Sequence, residues 1–334
     1  MRVLSLFDGI SCGRVALERA GIAVDEYYAS EIDTHAEKVS KKNYPDIIRL
    51  GDVTKWREWE LPKIDLLLAG FPCQAWSVAG KQRGDTDPRG ALVHDLIGIW
   101  QVLREKNPDL KFLFENVKMK KEFLDYINKL FGVEPILINS ALVSAQNRQR
   151  MYWTNIEGIT QPEDRHIFLK DIVHEGFETV EKYIVPFDKT LQILDKEVER
   201  GKVGYFRKDS QANRVYFIHD KAVTLCGDAG GGAAKMGQYL FGCITPDRVE
   251  KRQNGQRFSE GSKFYTLTAQ DKHGILVEGY IRKLTPVECE RLQTLPDGYT
   301  EGISESQRYK CIGNGWTVEV ISHMLKNLLD KYDF

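Results

Sequence analysis

Short apolar segments alternate with longer segments of helical periodicity along the first 155 residues of the chain. The apolar segments predict β-strands at Arg2–Phe7, Glu26–Ser30, Ile47–Leu50, Leu66–Ala69, Phe112–Phe114, Ile136–Asn139 and Arg150–Asn155. The segments between them predict helices at Cys12–Ala20, Thr34–Asn43, Leu92–Glu105 and Lys121–Phe131. Repeated strand–helix units predict an α/β fold with a doubly wound, mostly parallel sheet, in which functional sites lie at the carboxyl ends of the strands.

The pattern changes after about residue 160. Residues 201–280 are rich in glycine and contain only short apolar runs, which predicts an irregular region of short strands. Within it, the sequence Lys221-Ala-Val-Thr-Leu resembles Lys263-Phe-Tyr-Thr-Leu, and we interpret both as hairpin strands. Helical periodicity returns with a capped start at Thr285 and a long helix over Trp316–Tyr332. We therefore expect one domain of residues 1–160 with 281–334, and a smaller, irregular β-rich domain of residues 161–280.

The composition argues against a membrane span and a disulfide framework. No apolar run approaches the ~20 residues that a membrane-spanning helix needs, and no signal peptide precedes the first predicted strand. The six cysteines form no Cys-x-x-Cys pair, so we expect neither a disulfide framework nor a metal site. A reducing cytoplasm fits this cysteine usage.

Charge is distributed unevenly along a chain whose net charge is only −1, which gives no support for nucleic-acid binding by the chain as a whole. Residues 151–200 carry 6 basic and 11 acidic residues, whereas residues 201–265 carry 11 basic and 6 acidic residues, a local balance of +5. Such a basic segment could contact phosphates. Taken alone, it is more simply interpreted as a solvated, loop-rich surface.

Acidic residues follow each of the first three predicted strands, at Asp8, Glu31 and Asp52. The turn Phe7–Gly13 contains glycines that let a ligand approach the backbone, but Asp8 would repel a phosphate and suits a cationic group. Glu31 could accept hydrogen bonds from ribose hydroxyls, and Asp52 could accept one from an exocyclic amine. Each acid alone is equally typical of a helix cap. Together they predict an adenosine with a cationic amino-acid tail, which is S-adenosylmethionine.

A cysteine lies just after the buried strand Leu66–Ala69, in the sequence Gly-Phe-Pro-Cys73-Gln. A thiol in such a loop can act as a nucleophile, although a free cysteine is most often a buried structural residue. Glu115 follows the adjacent strand, and Arg148 and Arg150 lie two residues apart, where each alone would be interpreted as a surface ion pair. An acid, a thiol and two arginines at one crevice are hard to attribute to packing.

In order and spacing, six segments resemble the motifs of the cytosine carbon-5 DNA methyltransferases. They are Phe7–Gly13, Gly70–Ser77, Phe114–Val117, Gln146–Arg150, Leu284–Pro296 and Ile312–Val320. The resemblance covers nearly the whole chain except about 160–265. It implies a Rossmann-like methyltransferase domain with a smaller target-recognition domain. One departure is the tail sequence Gly313-Asn-Gly-Trp-Thr, where the family usually has asparagine, a small residue and often prolines.

The resemblance implies an enzyme that methylates carbon 5 of a cytosine flipped out of duplex DNA. Cys73 would add to carbon 6, Glu115 would protonate or hydrogen-bond ring nitrogen 3, and elimination of Cys73 would release 5-methylcytosine. Arg150 would hold the base oxygen and help position Glu115, while Arg148 would orient the catalytic loop or lower the pKa of the thiol. S-adenosylmethionine would supply the methyl group and leave as S-adenosylhomocysteine.

The resemblance also assigns the residues that would contact cofactor and DNA. The cofactor residues are Phe7, Asp8, Gly9, Ser11, Cys12, Gly13, Glu31, Ile32, Asp52, Val53, Asn314 and Gly315. The DNA residues, most of them in a loop over residues 74–92 that we expect to be mobile without DNA, are Ser77, Lys81, Gln82, Arg83, Arg89 and Thr266. In this context, the basic residues 201–265 are better interpreted as a DNA-facing surface.

Three other interpretations remain beside duplex DNA methylation. The same chemistry could act on an RNA cytosine, and a non-catalytic DNA-binding relative would lack one of Cys73, Glu115 and Arg150, all of which are present. A nucleotide-binding dehydrogenase is disfavoured because the first turn has the wrong glycine spacing. We expect a monomeric prokaryotic or phage enzyme of the cytoplasm, with double-stranded DNA as its partner and a cognate restriction endonuclease, where one exists, acting separately.

Overall fold

A seven-stranded sheet forms the centre of the fold. The computed structural model describes residues 1–72, 88–173, 183–185, 191–198, 202–207, 214–217, 221–225, 238–241 and 280–331. The central strands are β1 (Arg2–Leu6), β2 (Glu26–Ser30), β3 (Ile48–Arg49), β4 (Leu66–Gly70), β5 (Lys111–Val117), β6 (Ile136–Asn139) and β7 (Gln149–Thr154). Their order in the sheet is β3-β2-β1-β4-β5-β7-β6, with β1 and β4 as neighbours at the centre. The chain reverses its winding direction between β3 and β4, so the expected doubly wound sheet is confirmed.

Helices cover both faces of this sheet. In the described residues they are α1 (Cys12–Ala20), α2 (Thr34–Asn43), α3 (Pro88–Lys106), α4 (Lys121–Phe131), α5 (Pro286–Leu292), α6 (Glu305–Asn314) and α7 (Val318–Leu325). Within the described ranges, no helix combines the length and the apolar character needed to cross a membrane.

Neighbouring residues of a strand point to opposite faces and enter different hydrophobic clusters. Val3 and Leu68 pack in the cluster that contains α1, α2 and α7, whereas Leu4 and Leu67 pack in the cluster that contains α3 and α4. A strand buried on both faces needs a continuous apolar run, which explains why Leu66–Ala69 is entirely apolar.

The sheet differs from the expected pattern at β7, which is antiparallel to both of its neighbours, β5 and β6. Only residues 140–148 connect β6 to β7. Because a parallel crossover needs a dozen or more residues, this short connection allows only the antiparallel arrangement. The reversal brings the start of β7 beside the end of β5, so that Arg150 pairs in register with Val117.

The predicted helix over Trp316–Tyr332 is wrong at its start. Helix α7 begins at Val318, after Thr317 has taken the extended N-cap conformation, and a 3-10 helix over Lys326–Lys331 follows it. Gly315 also has extended backbone angles where α6 ends. Trp316 therefore lies in the connection between two helices, and its side chain packs against the central sheet.

A second sheet forms from residues within the region of changed sequence pattern. Its strands are β8 (Ile184–Val185), β9 (Leu191–Val198), β10 (Lys202–Phe206), β11 (Arg214–Phe217), β12 (Gln238–Phe241) and β13 (Tyr280–Arg282). They follow the order β8-β13-β12-β11-β10-β9, with antiparallel pairing throughout except between β11 and β12. This agrees with the expected short strands, while the proposed division of the chain at residues 160 and 280 stays a prediction.

A fully buried ion pair connects this second sheet to α5. The two terminal nitrogens of Arg282 each lie 2.7 Å from a different carboxylate oxygen of Glu288, and both side chains are 0% exposed. The Glu288 carboxylate also accepts a hydrogen bond from the Thr285 amide (2.7 Å), and the Glu288 amide donates the capping bond to the Thr285 hydroxyl oxygen. The predicted capped start of this helix is therefore confirmed, and the same carboxylate has a second partner in Arg282.

Replacing Glu288 by alanine is expected to lower the free energy of unfolding by about 3–5 kcal/mol, because the Arg282 guanidinium would stay buried without its counter-charge. Urea unfolding followed by circular dichroism measures this change. Asp297→Ala is the matched control, since it breaks the Arg291–Asp297 pair, whose side chains are 30% and 53% exposed. The control substitution should lower the free energy of unfolding by about 1 kcal/mol or less. Equal losses for the two variants would contradict the prediction.

Candidate active site

The turn between β1 and α1 brings a carboxylate to the edge of the central sheet. Phe7, Gly9 and Ser11 have positive φ angles of 56°, 59° and 61°, so the chain turns sharply before α1 begins. The Asp8 amide donates a hydrogen bond to the Ser30 carbonyl (3.0 Å), which attaches the turn to the end of β2. The turn thus occupies the strand-to-helix position that its sequence predicts.

The Asp8 carboxylate is held by hydroxyl groups. Ser11 Oγ donates to Oδ2 at 2.6 Å, and the Tyr27 hydroxyl donates to Oδ1 at 2.8 Å. Burial raises the pKa of Asp8 above its usual range, while hydrogen bonds from Ser11, Ser5 and Tyr27 oppose that rise. A cationic ligand beside Asp8 would favour the charged carboxylate, so the site is electrostatically suited to a positive group.

Backbone amides fix the Glu31 carboxylate beside this turn. Oε2 accepts the Gly9 amide at 2.7 Å, and Oε1 accepts the amides of Ile32 and Asp33, each at 2.8 Å. The Ile32 side chain that follows is 74% exposed. A carboxylate of fixed orientation and an exposed aliphatic side chain therefore lie next to each other at the end of β2. This combination of apolar surface and oriented polar groups is typical of small-molecule sites.

Asp52 lies at the end of the next strand outward. The Ser30 hydroxyl donates to the Gly51 carbonyl (2.7 Å) and so joins this strand end to that of β2. Asp52 caps a 3-10 helix, with Oδ1 accepting both the amide and the hydroxyl of Thr54 at 2.9 Å. The bond from the Thr54 amide is the main cause that lowers the pKa of Asp52. Asp52 is thus a helix cap whose carboxylate stays charged, and Val53 beside it is buried.

The chain approaches itself closely where α1 meets residues 313–317, which we call the tail segment. A Cβ added to Gly13 would lie 2.8 Å from Leu68 Cδ1, and one added to Gly315 would lie 3.1 Å from Cys12 Sγ. Burial raises the pKa of the Cys12 thiol to about 12, so this cysteine packs rather than reacts. Asn314, the last residue of α6, is exposed. The structure therefore brings two of the four chain segments with predicted cofactor residues into contact.

Glu115 and Arg150 form the candidate catalytic pair. Arg150 Nε lies 2.8 Å from Glu115 Oε1, and the two side chains are only 13% and 11% exposed. Trp316 Nε1 donates to the other oxygen, Oε2, at 3.2 Å. Glu115 pairs in register with Gly70, the last residue of β4. The predicted meeting of Glu115 with Arg150 is therefore confirmed, and a third residue shares the carboxylate.

The strand end that leads to Cys73 is attached to β5. Asn116 Nδ2 donates to the Phe71 carbonyl at 3.1 Å, next to Glu115 in the chain. Cys73 follows Phe71 by two residues and lies outside the described residues. Also outside them lie Ser77, Lys81, Gln82, Arg83 and Thr266, along with most of the expected mobile loop. The backbone of Arg89 belongs to the first turn of α3.

Arg148 contacts backbone carbonyls around the tail segment. Its NH1 donates to the Leu225 carbonyl at 2.8 Å, and its NH2 donates to the carbonyls of Gly313 and Gly315 at 3.1 and 3.0 Å. The side chain is 3% exposed. Arg148 precedes β7, and these contacts differ from those of Arg150, which binds Glu115. The predicted catalytic role of Arg148 stays a prediction, while the described contacts give it a structural role.

The segment Lys221–Leu225 binds directly to the motif that contains Arg148. Ala222 donates its amide to the Ala145 carbonyl at 2.7 Å and accepts the Asn147 amide at 2.8 Å. Thr224 Oγ1 donates to the Asn147 carbonyl at 2.6 Å. Lys221–Leu225 forms only an isolated parallel bridge, between Ala222 and Gln146, so the expected hairpin strand is wrong there. The resembling residues 263–267, with the candidate DNA contact Thr266, lie outside the described residues.

Trp316 contacts the candidate catalytic pair, although the sequence predictions give it no place in the site. Its only signal in the sequence is the departure of the tail sequence from the usual family pattern. The sequence pattern predicts a helix that starts at Trp316, and such a helix gives no indication that the side chain contacts a strand end. In the structure, its ring packs at Gly70, where an added Cβ would lie 2.8 Å from Nε1.

Comparison with known proteins shows which family the sequence matches. A family model described as C-5 cytosine-specific DNA methylase matches residues 1–330. The chain is 29% identical to the orphan methyltransferase M.SPRI of Bacillus phage SPR, over 99% of this chain and 98% of that protein. It is also 29% identical to the type II methyltransferase M.HhaI of Haemophilus parahaemolyticus, over 100% of this chain and 96% of that protein.

Solved structures show the same fold. The Entamoeba histolytica methyltransferase EhMeth matches with a TM-score of 0.67 at 15% identity, over 99% of this chain and 98% of that one. A putative DNA modification methyltransferase encoded within an E. coli prophage matches with a TM-score of 0.56 at 20% identity, over 99% of both chains. Since the family model spans almost the entire sequence, the chain belongs to the C-5 cytosine-specific DNA methylases.

Proposed function

We propose that this methyltransferase takes the methyl group of S-adenosylmethionine and places it on carbon 5 of a cytosine flipped out of duplex DNA. Family membership supports transfer to carbon 5 of cytosine. The observation that carries the proposal is the buried Glu115–Arg150 pair (2.8 Å) at the end of β5, in register with the strand end that leads to Cys73. An acid held in this way can act on a ring nitrogen while a thiol from the neighbouring strand attacks the ring.

The charges of the first three strand ends fit S-adenosylmethionine. Asp8, whose buried carboxylate favours a cationic partner, would hold the amino-acid end. Glu31 would accept the ribose hydroxyls, and Ile32, which is 74% exposed, would pack on the adenine. Asp52 would accept the adenine amine. The bound cofactor supplies an electrophilic methyl group, and the other candidate residues that would surround it are Phe7, Gly9, Ser11, Cys12, Gly13, Val53, Asn314 and Gly315.

The chemical step would begin at Cys73. Its thiolate forms a bond to carbon 6 of the cytosine, and the electron pair of the carbon 5–carbon 6 double bond moves into the ring toward nitrogen 3. Glu115 donates a proton or a hydrogen bond at nitrogen 3, so that negative charge does not build up there. Carbon 5 would then form a bond to the methyl group as the bond between that methyl group and the sulfonium sulfur breaks, so that S-adenosylhomocysteine leaves and the nitrogen 3 proton returns to Glu115. Water would take the carbon 5 proton, and the electron pair of that C–H bond would restore the carbon 5–carbon 6 double bond as the Cys73 thiolate departs.

The two arginines would have separate tasks. Arg150 holds one oxygen of Glu115 and would hold the cytosine carbonyl oxygen, which fixes the base relative to the acid. Arg148 binds the carbonyls on both sides of Asn314 and would keep the tail segment over the cofactor. We therefore assign Arg148 a positioning role in place of direct contact with the thiol.

DNA recognition would belong to the region of the second sheet, residues 161–280. Residues 201–265 carry the local charge of +5, and the Lys221–Leu225 segment joins this region to the catalytic motif through Ala222 and Thr224. The candidate DNA contacts remain Ser77, Lys81, Gln82, Arg83, Arg89 and Thr266. We place the enzyme, as a monomer, in the cytoplasm of a bacterium or of a phage-infected cell, with any cognate restriction endonuclease acting separately.

A methyl-transfer assay with tritiated S-adenosylmethionine tests the substrate. Label is expected in duplex plasmid DNA and not in transfer RNA, because the family model that matches the chain describes DNA methylases. The basic residues 201–265 would contact the phosphates of that duplex. Bisulfite sequencing of the same plasmid should locate the product at carbon 5 of cytosines within one sequence. Labelling of transfer RNA alone would overturn the choice of DNA and favour the same chemistry on an RNA cytosine.

A further inference from the structure

The Trp316 indole connects the ends of two central strands. Its Nε1 donates to Glu115 Oε2 on β5 (3.2 Å), and the same nitrogen would lie 2.8 Å from a Cβ on Gly70 of β4. On its far side, Cζ3 would lie 3.5 Å from a Cβ on Gly13 of α1. The side chain is 9% exposed. Glycines at both contact points leave the ring just enough room to reach the carboxylate.

The two oxygens of Glu115 have different donors. Arg150 Nε binds Oε1 at 2.8 Å, and Trp316 Nε1 binds Oε2 at 3.2 Å. A carboxylate bound at one oxygen can still rotate about its last bond, whereas donors at both oxygens fix its plane. An acid that must meet a single ring nitrogen needs such a fixed plane, because small misplacements slow catalysis strongly.

Buried polar contacts on both sides of residue 316 hold the indole in place. The Gly315 carbonyl accepts from Arg148 at 3.0 Å and from Gln293 Nε2 at 3.1 Å. Thr317 Oγ1 donates to Gln293 Oε1 at 2.8 Å and accepts from Ser140 Oγ at 2.8 Å. The tail segment that carries Trp316 is thus anchored independently of Glu115, as a rigid support must be.

We propose that Trp316 is a positioning residue for Glu115, and that its indole N–H sets the orientation of the catalytic carboxylate together with Arg150. The inference rests on the proposed function, in which Glu115 acts on the cytosine ring. Gly315, the residue before Trp316, would also lie against the cofactor. The tail segment therefore connects the cofactor side of the crevice to the acid on the cytosine side. If Trp316 only fills space, its N–H has no role in the rate.

Trp316→Phe separates these possibilities, because it keeps an aromatic ring and removes the N–H donor, while a control with the same substitution at another buried tryptophan accounts for the smaller ring. Single-turnover transfer from tritiated S-adenosylmethionine to duplex DNA, with both at saturating concentration, should slow by about tenfold, the contribution of one hydrogen bond to a charged group. Trp153→Phe is the matched control. Its indole also donates to a buried side-chain oxygen, Asn128 Oδ1 at 2.7 Å, but it lies in the other hydrophobic cluster. Its rate should stay within about twofold.

A double-mutant cycle identifies the partner of the indole. In a Glu115→Ala background, Trp316→Phe should slow single-turnover methyl transfer by less than about twofold, because no carboxylate is left to orient. The same tenfold loss in both backgrounds would overturn the proposal and show a general packing role. If Glu115→Ala alone leaves the rate unchanged, the acid in the proposed function fails, whatever Trp316→Phe does.

Gly70→Ala provides a second variant if Trp316→Phe does not fold. The added methyl group would lie 2.8 Å from Trp316 Nε1, so the ring must move away from Glu115. We expect about the same tenfold slowing, again absent in the Glu115→Ala background. A Gly70→Ala enzyme with an unchanged transfer rate would contradict the proposal, because the indole could then be displaced without consequence.

Discussion

The Cys73→Ala enzyme is expected to transfer no measurable methyl group to DNA while it still binds DNA. Without the thiolate there is no addition at carbon 6, and carbon 5 of cytosine remains a poor nucleophile. Loss of a catalytic nucleophile typically costs at least about 10⁴-fold in rate. The bond from Asn116 to the Phe71 carbonyl belongs to the strand end before Cys73, so the fold around Glu115 should survive the change.

Tritium transfer measures the loss of methylation, and a gel-shift assay with the same duplex measures DNA binding. Cys289→Ala is the matched control, since Cys289 is a buried thiol on α5 whose pKa burial raises well above its usual value. The control should transfer methyl groups within about twofold of the unmodified enzyme. A Cys73→Ala enzyme that still methylates would refute the covalent mechanism. A Cys73→Ala enzyme that no longer binds DNA would contradict the expectation that Cys73 is needed for the chemical step and not for binding.

Replacing Glu115 by glutamine is expected to slow methyl transfer by about 10²–10⁴-fold, the usual contribution of a positioned acid or base. The amide keeps the size of the side chain, but it cannot give up and regain a proton at ring nitrogen 3. It also removes the charge that pairs with Arg150 at 2.8 Å. Cofactor affinity should change little, because the candidate cofactor carboxylates belong to other strand ends. Single-turnover transfer and calorimetric titration with S-adenosylmethionine check both expectations.

Glu319 supplies a close control for Glu115→Gln. Like Glu115, Glu319 is mostly buried and paired with arginine. Its carboxylate lies 3.1 Å from Arg19 and 2.6 Å from Arg165. Burial opposes ionisation of Glu319, but Arg165 and Arg19 together lower its pKa, and the residue lies on α7 and not on a strand of the central sheet. Glu319→Gln should therefore reduce thermal stability and leave the transfer rate nearly unchanged. A comparable rate loss in both variants would mean that Glu115 matters for folding and not for chemistry.

The sequence predicted the central sheet well because each of its signals is local. A strand buried on both faces must be apolar throughout, as Leu66–Ala69 is, and a glycine or acid at its end marks the turn. The positions of Asp8, Glu31 and Asp52 followed from strand ends alone. The Glu115–Arg150 contact could be predicted because both residues belong to motifs of the recognised family, whose crevice they share.

Long-range contacts were harder to predict from local patterns. Arg148 and Arg150 are two residues apart, which suggests one shared face of a strand, but β7 begins only at Gln149. Arg148 therefore binds carbonyls of Gly313 and Gly315, a choice set by a segment some 165 residues away along the chain. Trp316 was assigned to a helix because the apolar periodicity of α7 extends back to it. Only the backbone angles of Thr317 show that the helix starts later.

The hydrogen bond between Trp316 and Glu115 joins residues 201 positions apart in the sequence. A ribosome synthesises the strand that carries Glu115 long before it adds the tryptophan, and further residues are needed before the tail can leave the exit tunnel. The nascent chain can therefore build its central strands and its carboxylate early, yet it can complete the support of that carboxylate only after residue 316 has left the exit tunnel. The Trp316–Glu115 bond thus joins an early-made strand to a later-made segment, and it can form only after translation has passed the region of the second sheet.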